Sequence, residues 1–560
     1  MSTLSPRFAT HLLASVLPCL LASTPALADD PASQQLRDQQ RFLRQAEQQQ
    51  RLQQWQRRVP AAVAPTAPAS KAREQLCWPV SEVRLRGNHR LPSETLNETL
   101  RPLLHPCMGV ADINRLLQAI TQRYVQAGYP VSRPYLAAQP QTGAPLDIVV
   151  VEGFVEAIEL SDPDLPLSLP NAFPKVLGEP LYLPQLEQGL DQLNRLRAYD
   201  LTAELLPGEL QGGTRVRLQP ERVGSRWHVD SRLDNRGSEL TGRHRLNLGL
   251  GLDSPLELND DLRLSLLSTV FNAPGQSRGL SFYYSVPYGP WTFAVNASQL
   301  SYRAPLPQGR GVSSGTSTFY GLSAERMLWR HQQGMLSASL RLDRKQLLNR
   351  YNTIALSLQS PTLTTLEAGI NLLWLEDGLW NLYAGIGQGL AWFGADHRPL
   401  SAIAPEPQFR KYRASLLHLR QGPPQWPWRW QSELNLQYSR DVLHAIEQQL
   451  LSDDSGVRGF RQYSVAGATG AVWRNGFSQP LALALPGGLE VRPYLGLDLG
   501  WARLASTSPP QRLAGAALGV ELNLPASRLR LDYQHALHAS DRSRRNLEPG
   551  FWLLDWTLSL

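Results

Sequence analysis

Beyond residue 28 this 560-residue chain lacks any run of eighteen apolar residues. A membrane-spanning helix needs about twenty, and the mean hydropathy of −0.29 is mildly negative, so helices do not carry the chain across a bilayer. The composition holds three cysteines, of which only Cys77 and Cys107 follow residue 28. Two neighbouring cysteines in an exported chain favour a disulfide, while a metal site would need two further ligands at sensible spacing. No GxxxxGK[ST], HExxH or GxSxG occurs, and no Ser, His and Asp set assembles by position. Gly385-Ile386-Gly387-Gln388-Gly389 lies in an alternating strand, where small residues ease packing rather than bind phosphate. The reading is therefore of no enzyme, with no catalytic residue, metal or cofactor. The net charge of +7 comes without a basic patch, because the Lys and Arg residues are spread through alternating segments. Nucleic acid is excluded as a partner on that ground.

The first 28 residues read as a secretory signal peptide. Arg7 supplies a basic start, His11 to Ala22 an apolar stretch, and Ala26-Leu27-Ala28 a small-residue cleavage site before Asp29. An exported chain without spanning helices is periplasmic, released, or an outer-membrane barrel. Within the segment 29–59, Gln34 to Arg58 holds eleven Gln and six Arg, sparse apolar residues and no Pro or Gly. That predicts a helix without a core-facing stripe, about 37 Å long, which is either a solvated tail or a rod matching the height of a membrane barrel. Residues 60–75, rich in Ala and Pro, read as an extended linker.

Residues 76–153 show β-α-α-β-β order. Val80 to Leu85 alternates, Ser93 opens a helix ending near Leu104, and Asp112 to Ala127 places Ile113, Leu116, Leu117, Ile120 and Tyr124 on one face. Val131 to Leu136 and Leu146 to Glu152 complete a sheet. Residues 154–221 repeat the order, with helical segments around Asn171 to Val176 and Gln185 to Leu196. A Cys77–Cys107 disulfide would join the first strand of the first unit to the region between its helices. Closing a loop of that size stabilises by about 3 kcal/mol on the chain-entropy argument.

From 222 to 560 the texture changes to ten-residue segments of strict alternation. Leu246, Leu248, Leu250 and Leu252 alternate with Asn247, Gly249 and Gly251; Leu529, Leu531 and Tyr533 alternate with Arg530, Asp532 and Gln534. Dyad alternation with charged inward positions marks a transmembrane β-barrel with a wet interior. Thirteen of the fifteen Trp residues fall here, as aromatic girdles require. At roughly 20 residues per strand and turn, the segment holds about sixteen strands.

Two short stretches stand out. In Tyr494 to Leu504, Leu495, Leu497, Leu499 and Trp501 share one face, and Gly496, Asp498 and Gly500 the other. A lone carboxylate thus faces the lumen between two residues with no side chain. About forty residues earlier, Val457-Arg458-Gly459-Phe460 sits in a non-periodic, Gly-punctuated segment and offers the cation. VRGF followed by GLDLG resembles the signature of the Omp85 superfamily, and most closely the two-partner secretion transporters of the FhaC/ShlB hemolysin secretion and activation type. Asp234-Asn235-Arg236-Gly237 resembles that family's opening strand and turn. Tyr284-Ser285-Val286-Pro287 with Trp291-Thr292-Phe293 resembles its third and fourth strands, and Trp473-Arg474-Asn475 the strand leaving the VRGF loop.

The resemblance implies two periplasmic POTRA domains, a plug helix at 29–59 threaded through the pore, and a loop tip whose Arg458 pairs with Asp498. It implies an outer-membrane protein, monomeric, delivered by periplasmic chaperones and the barrel assembly machinery and seated in outer-membrane lipid. Its partner would be a large secreted exoprotein, a hemolysin, adhesin or contact-dependent toxin, recognised unfolded through an N-terminal secretion domain and exported, or exported and activated. Alternatives are an Omp85-type barrel assembly factor and a plugged porin conducting ions. Room for only two POTRA units counts against the first, and the duplicated periplasmic unit against the second.

Overall fold

A computed structural model describes residues 77–560 except 81, 272, 307–308, 332, 402–403, 453–454, 482–485 and 506, together with helical positions Ala32, Ser33, Leu36, Arg37 and Gln40. The signal segment with its Ala28/Asp29 junction, the linker 60–75 and most of 29–59 lie outside the described residues.

The first module is a three-stranded sheet packed on two helices. Strand β2 (Val83–Arg86) runs parallel to β5 (Leu146–Val151), and β4 (Arg133–Leu136) pairs antiparallel with β5. Helix α1 (Ser93–Leu100) and helix α2 (Val110–Gln126) cover one face. The i, i+3, i+7, i+11 spacing of Ile113, Leu116, Ile120 and Tyr124 buries one stripe of α2 against Leu146, Ile148 and Val150. The Asp112 carboxylate accepts the Gly109 N–H at 2.9 Å and caps the helix, and this bond holds its pKa below the usual range. Cys77 does not lie in the sheet's first strand. It belongs to a separate two-residue ladder, β1 (Cys77–Trp78) with β3 (Met108–Gly109), and is joined to Cys107 with the Cα atoms 5.4 Å apart. The alternation at 80–85 had merged this ladder's exit with the first sheet strand.

The second module repeats the topology. β6 (Phe154–Leu160) is parallel to β8 (Gly213–Val223), and β7 (Tyr199–Pro207) antiparallel to β8. Its helices are α3 (Leu169–Ala172), shorter than the alternation suggested, and α4 (Leu183–Asn194).

The remainder is a closed barrel of sixteen antiparallel strands, from Trp227–Asp234 to Phe551–Ser559, whose ends pair with each other. Across the membrane belt most outward positions are apolar and most inward ones polar: Leu495, Leu497 and Leu499 are exposed while Asp498 between them is buried. Short hairpins occupy one end, as at Asp377-Gly378, both at positive φ. Tyr284 to Pro287 and Trp291 to Phe293 fall in the fourth and fifth strands (Gln276–Tyr288 and Trp291–Pro305), not the third and fourth. Leu256 and Leu258 continue the alternation of Arg245–Asp253 into the turn 254–260, which separates it from Asp261–Thr269.

A small core lies inside the barrel. Ala32 and Leu36 are fully buried among Leu300, Tyr302, Phe319, Leu347 and Leu363 of the inner wall and Ile446 of a long loop.

Candidate functional site

The strand Glu490–Arg503 sits between Thr469–Ser478 and Gln511–Leu524, with Asp498 opposite Arg474 on one side and Gly515 on the other. Pleating sends Gly496, Asp498 and Gly500 inward together with Gly515 and Ala517 of the next strand. This leaves a shallow bay in the wall. The loop between Arg429–Ser439 and Thr469–Ser478 folds into the barrel, and Val457-Arg458-Gly459-Phe460 fills the bay.

Arg458 places its guanidinium across the Asp498 carboxylate, Nε to Oδ2 and Nη2 to Oδ1. Its backbone N–H also donates to Asp498 Oδ2 at 3.0 Å, and Nη2 donates to the Asn475 carbonyl at 2.7 Å. Both partners are buried, the Asp498 side chain completely. Three donors from the loop thus engage the carboxylate, two on Oδ2 and one on Oδ1, and such hydrogen bonding is the condition under which a buried pair is tolerated. The Arg458 guanidinium also lies 5.3 Å from the Tyr494 ring centroid, with Arg530 on the same ring at 4.5 Å.

The glycines explain the close fit. A Cβ at Gly496 would collide with the Arg458 guanidinium, and one at Gly500 would stand 2.7 Å from Val457 Cγ2. Gly459 turns at φ +92 beneath the His535 carbonyl, a conformation that glycine adopts without strain, and donates its N–H to Gln534 Oε1 at 3.2 Å. Val457 and Phe460 pack in an apolar patch with Leu451, Val472, Ala502, Leu513 and Ala536.

The structure brings three further groups to this site: Gly515, Glu548 and Arg461. Gly515 lies beneath the Arg458 carbonyl. Its signal was the run Ala514-Gly515-Ala516-Ala517, a strand without inward bulk. Glu548, in the loop before the last strand, accepts the backbone N–H groups of Arg461 at 2.7 Å, Gln462 at 2.8 Å and Tyr463. Arg461 reaches on to the Asn235 carbonyl at 2.8 Å and lies 4.4 Å over the Phe551 ring. It thereby spans the seam between first and last strands, whose ladder ends at Asp555 opposite Asp234.

At the other side of the lumen the same loop makes one helical turn, Ala445–Glu447. Glu447 is gripped between Lys345 Nζ at 2.6 Å and Lys411 Nζ at 2.5 Å, all three buried. The Ala445 carbonyl accepts from Arg37 Nη1 at 2.6 Å, and Ile446 packs with Ala32 and Leu36. Three consecutive loop residues therefore hold the helix on one side and the wall on the other. No sequence spacing points to them.

Helix α4 closes the opposite end. Arg330 of the barrel, nearly buried, binds Glu187 at 3.0 Å and Asp191 at 2.5 Å. Gln192 donates to the Gly289 carbonyl at 3.1 Å, and Arg195 to the Ser285 hydroxyl at 2.5 Å and the Asn259 carbonyl at 2.8 Å. Between α4, Arg37, Lys411 and Glu447 remains a cavity of about 410 Å³.

The chain was compared with known proteins. The family described as haemolysin secretion/activation protein ShlB/FhaC/HecB matches residues 212–522, the ShlB-type POTRA domain residues 78–153, and a second POTRA domain residues 154–207. The hemolysin transporter protein HpmB of Proteus mirabilis is 32% identical over 531 residues, 92% of this chain and 92% of that protein. The hemolysin transporter protein ShlB of Serratia marcescens is 34% identical over 478 residues, 83% of this chain and 82% of that protein. Among solved structures, CdiB from Escherichia coli superposes with a TM-score of 0.86 at 27% identity, covering 96% of this chain and all of that one.

Proposed function

The chain belongs to the ShlB/FhaC/HecB family of haemolysin secretion/activation proteins, and from that premise we propose that it exports one large partner protein through its barrel. It is an outer-membrane transporter of two-partner secretion, with its two POTRA domains in the periplasm. The cargo is a hemolysin, adhesin or contact-dependent toxin, in keeping with the names of its relatives. It arrives unfolded, is recognised by the POTRA domains through an N-terminal secretion domain, crosses extended, and folds outside. Folding outside makes the passage directional. The edge strands of the two sheets, β2 and β4 in the first and β6 and β7 in the second, are the strands available for pairing with an extended chain. The protein works as a monomer and reaches the membrane with periplasmic chaperones and the barrel assembly machinery.

One observation carries this reading. The lumen is occupied by described helical positions between Ala32 and Gln40 and by a long loop, which are tied to the wall by buried charged contacts as well as by two small apolar patches. The segment 29–59 is the plug and leaves first; Arg37 releases the Ala445 carbonyl as it goes. Arg458 and Asp498 pin the loop tip and fix its register. A buried ion pair has little net value over an apolar pair yet costs about 3–5 kcal/mol to break from one side. Such a pair suits positioning and switching better than bulk stability.

The test is co-expression with the partner encoded beside this chain, scoring the partner in the medium. Export that depends on this chain and is lost when residues 77–223 are deleted supports the reading. Export that continues without it, or a general loss of outer-membrane barrels on its depletion, overturns it.

A further inference from the structure

The acids of the barrel wall point inward, and this leaves one sector of the outer surface with cations alone. Consider the four neighbouring strands Gln276–Tyr288, Trp291–Pro305, Val312–His331 and Gly334–Tyr351. Their only acidic residues, Glu325 and Asp343, occupy inward positions, where Glu325 lines the lumen cavity and Asp343 is buried. The outward positions carry Arg278, Arg303, Arg344 and Arg350 in the extracellular half, and Arg326 near the periplasmic end, 5.3 Å from the Trp291 ring centroid. The connecting loops 270–275, 306–311 and 352–361 contain no Asp or Glu either.

The ladder registers place these arginines together. Arg303 and Arg350 both lie opposite Ser314, one on each side, so they share a row with one strand between them. At about 4.8 Å per strand, their Cα atoms are roughly 10 Å apart. Arg278, opposite Ser301, lies one outward position lower. Arg278, Arg303 and Arg350 are exposed and have no ion-pair or hydrogen-bond partner among the described residues. Arg344 sits lower still and donates to the Phe393 carbonyl at 2.9 Å.

Height on the barrel identifies what they face. The POTRA domains attach where the strand Trp227–Asp234 begins, so the loops 306–311 and 352–361 are at the far, extracellular end. On the strands Val312–His331 and Gly334–Tyr351 the continuous apolar belt ends at Leu322 and Leu342, which are paired across the ladder, with Tyr320 and Arg344 immediately above and Leu280 and Leu348 as isolated apolar positions higher up. The next outward positions are Thr318, Thr316 and Ser314. This polar stretch continues the lipid-facing surface beyond the hydrocarbon, at the level of the outer-leaflet headgroups. A bare protein–water surface would gain nothing from excluding acids; a surface against a polyanion avoids like-charge repulsion that way. Hydroxyls flanking guanidinium forks match a sugar that carries phosphates.

We propose that this sector binds the phosphorylated glycolipid of the outer leaflet, with Arg303 and Arg350 taking its phosphates. The purified full chain, titrated with bis-phosphorylated lipid A and read by native mass spectrometry, tests it. Wild type is expected to bind this lipid at least about tenfold more tightly than the same lipid without phosphates, the loss of two charge-assisted contacts. The double variant Arg303→Gln/Arg350→Gln is expected to lose the same factor while remaining a heat-modifiable barrel. Arg420→Gln, an outward arginine at the periplasmic end, should bind as wild type. Equal affinity for the dephosphorylated lipid, equal affinity for phosphatidylglycerol, or an unaffected double variant would each overturn the assignment.

Discussion

Gly515→Ala isolates the seat of the loop tip from its charge. The substitution leaves Arg458, Asp498 and every hydrogen-bonding group in place and puts a better strand residue on the wall. Its Cβ, however, would stand 1.7 Å from the Arg458 carbonyl oxygen, and ordinary contact begins at 3.4 Å. The loop backbone must therefore retreat by about 1.7 Å. The bond from the Arg458 N–H to Asp498, now 3.0 Å, cannot survive a move of that size, because hydrogen bonds fail beyond about 3.5 Å. The cost approaches that of breaking the buried pair from one side, about 3–5 kcal/mol. The ratio of seated to unseated loop then falls by two to three orders of magnitude, at about 1.4 kcal/mol per tenfold. Trypsin added to intact cells reads this directly. Seated, Arg458 is 4% exposed and the bond after it is out of reach; unseated, it is cut. Gly515→Ala should be cleaved as fast as Asp498→Ala. Gly249→Ala, where the nearest atoms to the new methyl are 3.7 Å away, should stay protected. Wild-type protection and export in Gly515→Ala would refute the steric account of the seat.

Four other outcomes follow from the same geometry. Glu447→Gln strips the neutralising charge from Lys345 and Lys411, costs about 3–5 kcal/mol at the latch, and should broaden the distance distribution between spin labels on Gln40 and the barrel wall; an unchanged distribution would sever helix from loop. Replacing Cys77 and Cys107 by Ser should lower the urea stability of the first module by about 3 kcal/mol for a loop with a sequence separation of 30, and leave the barrel's heat modifiability alone. Glu156 accepts the backbone N–H groups of Leu210 and Glu209, each at 3.0 Å, and these bonds hold its pKa below the model-compound value of 4.5. A depressed folded pKa gives stability that is present above the unfolded value and lost as pH falls through the folded one. Hydrogen-exchange protection at Glu209 and Leu210 should therefore fall below about pH 4.5 in wild type, and show no such step in Glu156→Gln. Arg330→Ala leaves Glu187 and Asp191 facing an empty seat and should increase crosslinker access between α4 and the barrel mouth; unchanged access would assign the docking to Gln192 and Arg195.

The barrel was legible because lipid on one side and water on the other impose a period of two on every strand. The same period runs on through Leu256 and Leu258 into the turn 254–260, which docks on the second module, so alternation alone does not mark where the strand ends there. The first half of the site was legible because VRGF and GLDLG are local patterns, and glycines flanking a carboxylate have no use on a lipid-facing strand. The second half was not. Glu447 meets a lysine 102 positions away, and Glu548 meets the loop amides across more than eighty residues, so no spacing rule links them. Backbone amides, moreover, leave no mark on a sequence. The segment 34–58 stayed ambiguous because a helix without a core-facing stripe suits a solvated tail and a polar lumen equally. The described Ala32 and Leu36 bury their side chains in a cluster with Tyr302 and Phe319, inward residues whose direction was only fixed by register.

The chemistry of the three loop anchors bears on how the pore opens. Had the loop been seated by an apolar core alone, release would have to expose that surface to water, at about 25 cal/mol for each Å². Instead Glu447, Arg458 and the amides of residues 461–463 are each held by hydrogen bonds to charged groups. A passing extended chain presents amides, carbonyls and charged side chains of the same kind, so each bond lost by the loop can be remade by the cargo. The anchors also differ in what they touch: Glu447 shares its turn with the helix, Arg458 meets only the wall, and Arg461 bridges the closing seam. If the helix withdraws as proposed, Arg37 leaves the Ala445 carbonyl and Ile446 loses its apolar cover, so the Glu447 anchor is the first to loosen. The Arg458 pair and the Glu548 carboxylate on the amides of 461–463 would then set how far the loop follows the helix.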